Sequence, residues 1–232
     1  AEVAAAGMHG LLLTGSAGTG KTMIAKRIPT ILPGLTREED IEISRIYSIC
    51  GLLPAGRPLL SERPFRSPHH TITARALAGG GVPPRPGELS LASGGVLFLD
   101  ELPHFSPFAV EILRQPLEER KITVTRVSGN YEFPADFMMV AAMNLCPCGF
   151  YPDRNRCNCS ENQIRRYLGH ISRPILGRFD ICAQASPVTF GELNPAQGEN
   201  EDSASIRKRV EHARKRQERR FLGSKIRFNS RM

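Results

Sequence analysis

Nothing in this 232-residue chain is apolar for long enough to span a membrane. The longest unbroken run, Phe137 to Met143, is about a third of the length a bilayer requires. Residues Ala1 to Gly7 lack the charged start and apolar stretch of a secretory signal. No internal repeat is present, so a repeat architecture is excluded. No feature argues for secretion, and the cytoplasm is the expected compartment. The chain opens on alanine and stops shortly after a new segment begins, which reads as a piece of a longer protein.

A basic excess is also missing from most of the chain. The net charge is +8, but residues 203–232 hold 11 Lys and Arg against 2 acidic residues, while residues 1–202 hold 20 against 21. A nucleic-acid role therefore cannot be argued from global charge. The excess belongs to a tail that reads as one helix, capped by Ser203. Ile206, Val210, Ala213 and Phe221 fall on one face, with a solvated basic face opposite. With 41% hydrophobic and 23% charged residues the composition is that of an ordinary globular protein, long enough to bury a sizeable core.

Short apolar runs alternate with helical stretches, which predicts an α/β fold with helices on both faces of a sheet. Leu11 to Thr14 reads as a buried strand, followed by a glycine loop and a helix from Lys21 to about Leu32. Thr36 with Glu39 forms a capping box for a second helix ending near Cys50 and Gly51. Residues 52–87, rich in Pro, Gly and Arg, read as a long insertion with a short helical piece around Thr73 to Ala78. Val96 to Leu99 is a buried strand, and Ser106-Pro107 opens a helix that Pro116 should kink or end. Ile122 to Val127 and Tyr131 to Phe133, around Ser128-Gly129-Asn130, predict a hairpin. Phe137 to Met143 and Asp180 to Ala185 complete the strands, with a helix opened by Ser160 between them. The expected division is a core over 1–190 and a linker with the start of a basic helical lid over 191–232.

Gly15-Ser16-Ala17-Gly18-Thr19-Gly20-Lys21-Thr22 fits the phosphate-binding P-loop between a strand and a helix. Its glycines let backbone N–H groups turn inward at a positive helix end, Lys21 reaches the β- and γ-phosphates of ATP, and Thr22 ligates Mg2+. The alternative is a glycine-rich turn. Some 80 residues on, the strand Val96 to Leu99 delivers Asp100 to the magnesium shell and places Glu101 to polarise the attacking water. In isolation such an acidic pair could be a helix cap. Asn144, ending an apolar strand, can hold the lytic water as a sensor, or can be a strand-end turn residue.

Arg178 precedes the last strand and is a candidate arginine finger acting on a neighbour's ATP; the bland reading is a local salt bridge with Asp180. Cys146, Cys148, Cys157 and Cys159 form C-x-C, eight residues, C-x-C, which in a reducing compartment suits structural Zn2+, against four free thiols. Cys50 and Cys182 lie in apolar contexts and read as core residues. His69 and His70 read as loop residues with no ligand set around them.

These motifs, in this order, resemble the AAA+ ATPases of the magnesium-chelatase-related group, and within it the ComM-like competence family. The resemblance is carried by the P-loop, Arg63-Pro64-Phe65-Arg66-Ser67-Pro68-His69-His70, Gly87-Glu88-Leu89-Ser90-Leu91-Ala92, Gly95 through Pro103, Ala142-Met143-Asn144, the cysteine block and Gly177-Arg178-Phe179-Asp180. It implies a three-layer P-loop AAA+ fold with a central, mostly parallel sheet, a helix-2 insertion at 52–87 and a pre-sensor hairpin at Lys121 to Phe133, the lid being truncated. It also implies a sensor role for Asn144, a finger role for Arg178, and assembly into a ring, commonly a hexamer, with ATP between subunits. His104, Leu145 and Gly177 depart from the family's pattern.

The resemblance implies an ATP-driven motor acting on DNA, in branch migration or similar remodelling. The competing functions are a chelatase-type ATPase subunit that drives metal insertion through partner proteins, and a scaffold that binds ATP and rarely turns it over, which an intact Glu101 and Arg178 oppose. DNA contact is expected at Arg57, Arg63, Arg66, Arg75 and Arg85 of the insertion, with Phe65 to stack on a base, and at Arg126 near the hairpin tip. The tail helix is expected to be peripheral.

Overall fold

The computed structural model describes residues 1–56, 58–127, 129–187, 201–224 and 226–232. Among them, five strands form one parallel sheet in the order β2–β5–β8–β1–β9. The strands are β1 (Leu11–Thr14), β2 (Phe65–Arg66), β5 (Val96–Leu99), β8 (Met138–Met143) and β9 (Ile181–Gln184). A parallel sheet with helices on both faces needs strands apolar on both sides, and β5 and β8 are buried at every position. Alternate residues feed two cores. Leu12, Leu97, Leu99, Met139 and Ala141 face one way; Leu11, Leu13, Val96, Phe98, Val140 and Ala142 face the other.

Helix α1 (Glu2–Gly7), helix α2 (Lys21–Ile31) and helix α3 (Arg37–Ile49) precede β2. The Thr36–Glu39 capping box is closed in both directions, as the sequence predicts. The segment predicted as one insertion is divided. Phe65 and Arg66 pair in parallel with Val96 and Leu97, so two of its residues are an edge strand of the central sheet. After β2 the chain forms α4 (Ala74–Ala78), the hairpin β3 (Gly79–Gly80) and β4 (Arg85–Pro86), then α5 (Glu88–Leu91). Gly95 is required where the chain enters β5, because a Cβ there would collide with the backbone of Pro64.

Ser106 caps α6 (Pro107–Glu111) with Pro107 in its first turn. The helix breaks at Ile112–Leu113, and Pro116 sits in the first turn of α7 (Arg114–Glu119), where its missing N–H matters least. β6 (Lys121–Arg126) and β7 (Gly129–Pro134) form the predicted antiparallel hairpin. Ser160 and Gln163 close a second capping box on α8 (Glu161–Leu168), and α9 (Arg173–Leu176) leads into β9.

Three expectations need correction. The tail helix α10 (Ser203–Arg220) is capped by Asp202, whose carboxylate accepts from Ser205 N, rather than by Ser203. It is also docked, and part of its basic face is buried rather than solvated. Val210 is fully buried, and Arg214 and Gln217 donate to the carbonyls of Ala5 and Ala6 at 2.8 and 2.9 Å. Burial pushes the Arg214 guanidinium down to about 10, and Phe228 lies 4.2 Å beneath it. Cys182 is exposed and Cys50 half-buried, so neither is a core residue. Alternation along β9 explains Cys182: its neighbours Ile181 and Ala183 pack against the core and Cys182 points away. Residues 191–200 of the expected linker, with Arg57 and Ser128, lie outside the described residues.

Candidate nucleotide site

Parallel pairing brings the chemistry together. Thr14 pairs with Met143 and Leu99 with Ala141, so the C-terminal ends of β1, β5 and β8 open on one edge of the sheet. The P-loop, Asp100-Glu101 and Asn144 come directly after these strand ends. Ligands bind at this edge in parallel α/β sheets because helix N-termini and strand-end loops converge there.

Gly15, Gly18 and Gly20 have positive φ, which turns the loop into a cradle of backbone amides. A side chain at Gly15 would run into the carbonyl of Ala185 after β9. Lys21, the first residue of α2, is 8% exposed, and its ammonium donates to Gly15 O at 3.0 Å, Ser16 O at 2.7 Å and Asn144 Oδ1 at 3.1 Å. Burial pushes this ammonium below its usual range, and the nearby Asp100 carboxylate opposes the push. A buried cation held by neutral oxygens is suited to an anionic ligand. Thr22 Oγ1 donates to Asp100 Oδ2 at 2.8 Å, placing the two predicted magnesium ligands side by side. Both are hard oxygen donors of the kind Mg2+ takes.

Glu101 begins where β5 ends. Its backbone is left-handed, with φ 55° and ψ 47°, a conformation that costs a non-glycine residue roughly 1–3 kcal/mol. Its Oε2 lies 3.3 Å from Nδ1 of His104 and 3.5 Å from Nδ1 of His70. Sequence reasoning left His70 without a role and gave none to His104. The missing signal was β2: once Phe65–Arg66 is a strand, the residues after it emerge at the same edge as Glu101.

The cysteine loop also joins the site. Ala17 N of the P-loop donates to Gly149 O at 2.9 Å, and Gly149 packs against the Asn144 amide. The four sulfur atoms of Cys146, Cys148, Cys157 and Cys159 all lie within 4.8 Å of one another. Cys146 to Cys148 is 3.3 Å and Cys146 to Cys157 is 3.7 Å. A backbone hydrogen bond from Phe150 and the neighbouring thiols hold Cys148 down to about 6, within reach of the thiolate a metal needs.

Arg178 is not brought to this edge. It precedes β9 and pairs with Glu118 of α7, while Asp180 accepts from Gly10 N at 2.8 Å and faces His9 Nδ1 at 3.3 Å. Its partner is thus Glu118 rather than Asp180. From Arg178 to Ala185, beside the P-loop, an extended chain covers roughly 20 Å, beyond the reach of one side chain.

The expected DNA contacts separate into two groups. Arg63 donates to the carbonyls of Pro33, Gly34 and Gly94 and to Glu39, and its side chain is 9% exposed. Arg66 grips Glu88 with two hydrogen bonds of 2.7 and 2.6 Å. Phe65 stacks on Phe98 at 5.9 Å. These three are engaged within the chain, at and just before the edge strand. By contrast Arg75 and Arg126 both approach Gly80: a Cβ built there would meet their guanidinium nitrogens at 3.0 and 2.9 Å. Arg85, the β4 partner of Gly80, is exposed, as are Val82 and Val127 at the two hairpin tips.

Residues 1–193 match the protein family described as magnesium chelatase, subunit ChlI. The chain is 44% identical over 208 residues to competence protein ComM of Haemophilus influenzae, covering 90% of this chain and 40% of that protein. It is 44% identical over 216 residues to the uncharacterised protein YifB of Escherichia coli, covering 93% and 42%. The chain thus spans less than half the length of these relatives. NtrX from Brucella abortus, solved in complex with ATP, superposes with a TM-score of 0.50 at 18% identity, over 80% of this chain and 33% of that one. The fold is therefore that of a P-loop AAA+ domain. Among the described residues no helix is long and apolar enough to cross a membrane.

Proposed function

The chain belongs to the magnesium chelatase subunit ChlI family, and on that premise we propose that it is the ATP-hydrolysing core of a ring-forming AAA+ motor that acts on DNA. The observation that carries the reading is the meeting of Lys21, Thr22, Asp100, Glu101 and Asn144 at one sheet edge. The backbone amides of residues 15–20 and the α2 N-terminus bind the phosphates. Lys21 exchanges its carbonyl partners for β- and γ-oxygens. Thr22 and Asp100 would hold Mg2+, which when bound would supply positive charge against the phosphate oxygens. Glu101 orients and polarises the attacking water, Asn144 holds that water near the γ-phosphate, and water exclusion follows from the Gly149 loop over Ala17.

Arg178 acts on the ATP of a neighbouring subunit, which its position at the far edge of the sheet supports. An arginine acting in trans fits assembly into a closed ring, with a hexamer as the expected size. Cys146, Cys148, Cys157 and Cys159 would hold one structural Zn2+ through their thiolates, and the loop after Asn144 and the start of α8 at Ser160 would then be tied to that site. The action on DNA rests on the similarity to competence protein ComM and on the meeting of Arg75, Arg85 and Arg126 at two hairpins, which a ring would multiply into a band of positive charge. The expected compartment is the cytoplasm. A second reading, a subunit driving metal insertion through partner proteins, is favoured by the description of the matching family.

The test is ATP turnover by the full-length protein with and without forked DNA. DNA should stimulate turnover, and the stimulation should fall when Arg75 and Arg126 are replaced by Ala. Turnover indifferent to every DNA offered favours the metal-insertion reading.

A further inference from the structure

Two histidines outside the P-loop motifs meet Glu101, and three aromatic rings pack against them. His70 and His104 both aim Nδ1 at the same carboxylate oxygen, Oε2. His70 stacks on His69 with ring centroids 4.1 Å apart and meets the edge of Phe105, a core residue 3% exposed, at 6.4 Å. His104 meets His70 at 5.7 Å and Tyr167 at 5.8 Å. Tyr167 is 7% exposed and belongs to α8, the helix that starts directly after Cys159. Burial pushes the Tyr167 hydroxyl up to about 12, and the Glu101 carboxylate adds to the rise. Glu101 itself is half-exposed and has a left-handed backbone. A half-exposed carboxylate needs a partner to hold one orientation. The two Nδ1 atoms, 3.3 and 3.5 Å from Oε2, supply an anchor on that one oxygen.

We propose that His70 and His104 are positioning residues for Glu101: together they fix Oε2 so that Oε1 faces the water it activates. The proposal rests on the reading of Glu101 as the water-polarising residue. The two histidines come from separate elements, His70 from the segment after β2 and His104 from the turn of residues 102–104 after β5. Each is braced by aromatic contacts, His70 against Phe105 and His104 against Tyr167. The second contact makes α8, and with it the thiol cluster, a support for the orientation of Glu101. A displaced water-polarising carboxylate loses rate without losing nucleotide affinity, because the phosphate contacts lie in the P-loop. Misplacement of a reacting group by about 1 Å costs on the order of 100-fold.

The full-length protein tests this through kcat and KM for ATP in His70 and His104 variants carrying Ala, Asn or Gln. The amide nitrogen of asparagine falls near the position of Nδ1, and that of glutamine nearer Nε2. The Ala and Gln variants should lose about 10- to 100-fold in kcat with KM for ATP nearly unchanged, whereas the Asn variants should stay within about threefold of wild type. In a Glu101→Gln background the same substitutions should change the residual turnover less than about twofold, since the group they position is gone. Binding of a fluorescent ATP analogue confirms that each variant is folded. Wild-type kcat in all six variants, or equal loss in the Asn and Gln variants, overturns the proposal. Wild-type turnover by Glu101→Gln itself overturns instead the reading on which it rests.

Discussion

The two edges of the central sheet differ in what they bring together. At the C-terminal edge, Lys21, Thr22, Asp100, Glu101 and Asn144 touch one another or a shared neighbour. At the N-terminal edge, Arg178 is bound to Glu118 of its own subunit. The same strand, β9, connects them: it begins beside Arg178 and ends at Ala185, against the P-loop. Strand polarity, not distance along the sequence, decides which side chains meet. A subunit so built gathers the P-loop, Asp100, Glu101 and Asn144 at one edge and keeps Arg178 at the other, out of reach of them.

The largest effect should come from that far edge. Arg178→Ala is expected to cost about 10³-fold or more in turnover, the scale of an arginine finger in GTPases, while ATP affinity stays near wild type. Mixed rings of Arg178→Ala and Lys21→Ala subunits should regain activity where an intact Lys21 faces an intact Arg178. Rings shown to be mixed that regain nothing would place the Arg178 side chain in a purely local role.

A smaller effect is expected where the thiol cluster supports the C-terminal edge. The protein should carry one zinc per chain by elemental analysis. Stripping it should lower the melting midpoint by roughly 10 °C, a few kcal/mol in a domain of this size, and should weaken ATP binding through the contact of Gly149 with Ala17. Metal-free protein with reduced thiols and an unchanged melting point would remove zinc from the site.

The smallest effects separate arginines committed to the fold from those left at the surface. Arg66→Ala strands the Glu88 carboxylate and should destabilise the domain by roughly 1–3 kcal/mol. Asp202→Ala removes the cap of α10 and should cost about 1 kcal/mol. Arg75→Ala and Arg126→Ala should stay within about 0.5 kcal/mol of wild type in chemical denaturation. Equal destabilisation by Arg66→Ala and Arg126→Ala would contradict the division.

The features legible in the sequence were local. The P-loop, the strand before Asp100, the Thr36–Glu39 capping box and the β6–β7 hairpin each declare themselves within a few residues, because spacing and backbone chemistry specify them without a distant partner. The hidden features were long-range. Arg63 looked like a free cation, since Glu39 is 24 residues away and the carbonyls of Pro33 and Gly94 carry no side-chain signal. Arg214 looked solvated because its acceptor, Ala5 O, lies 209 residues earlier. β2 is two residues long, too short for any alternation to show. That omission concealed His70, whose place beside Glu101 emerges only once β2 joins the sheet.

ATP binding and ATP turnover, measured together on full-length Lys21→Ala and Glu101→Gln proteins, decide whether the C-terminal edge is the catalytic site. Lys21→Ala should lose binding, because the buried cation that partners the phosphates is gone. Glu101→Gln should bind ATP as wild type does and lose about 10²- to 10⁴-fold in turnover, the usual contribution of acid–base catalysis. Unchanged ATP affinity in Lys21→Ala, or wild-type turnover in Glu101→Gln, would contradict it.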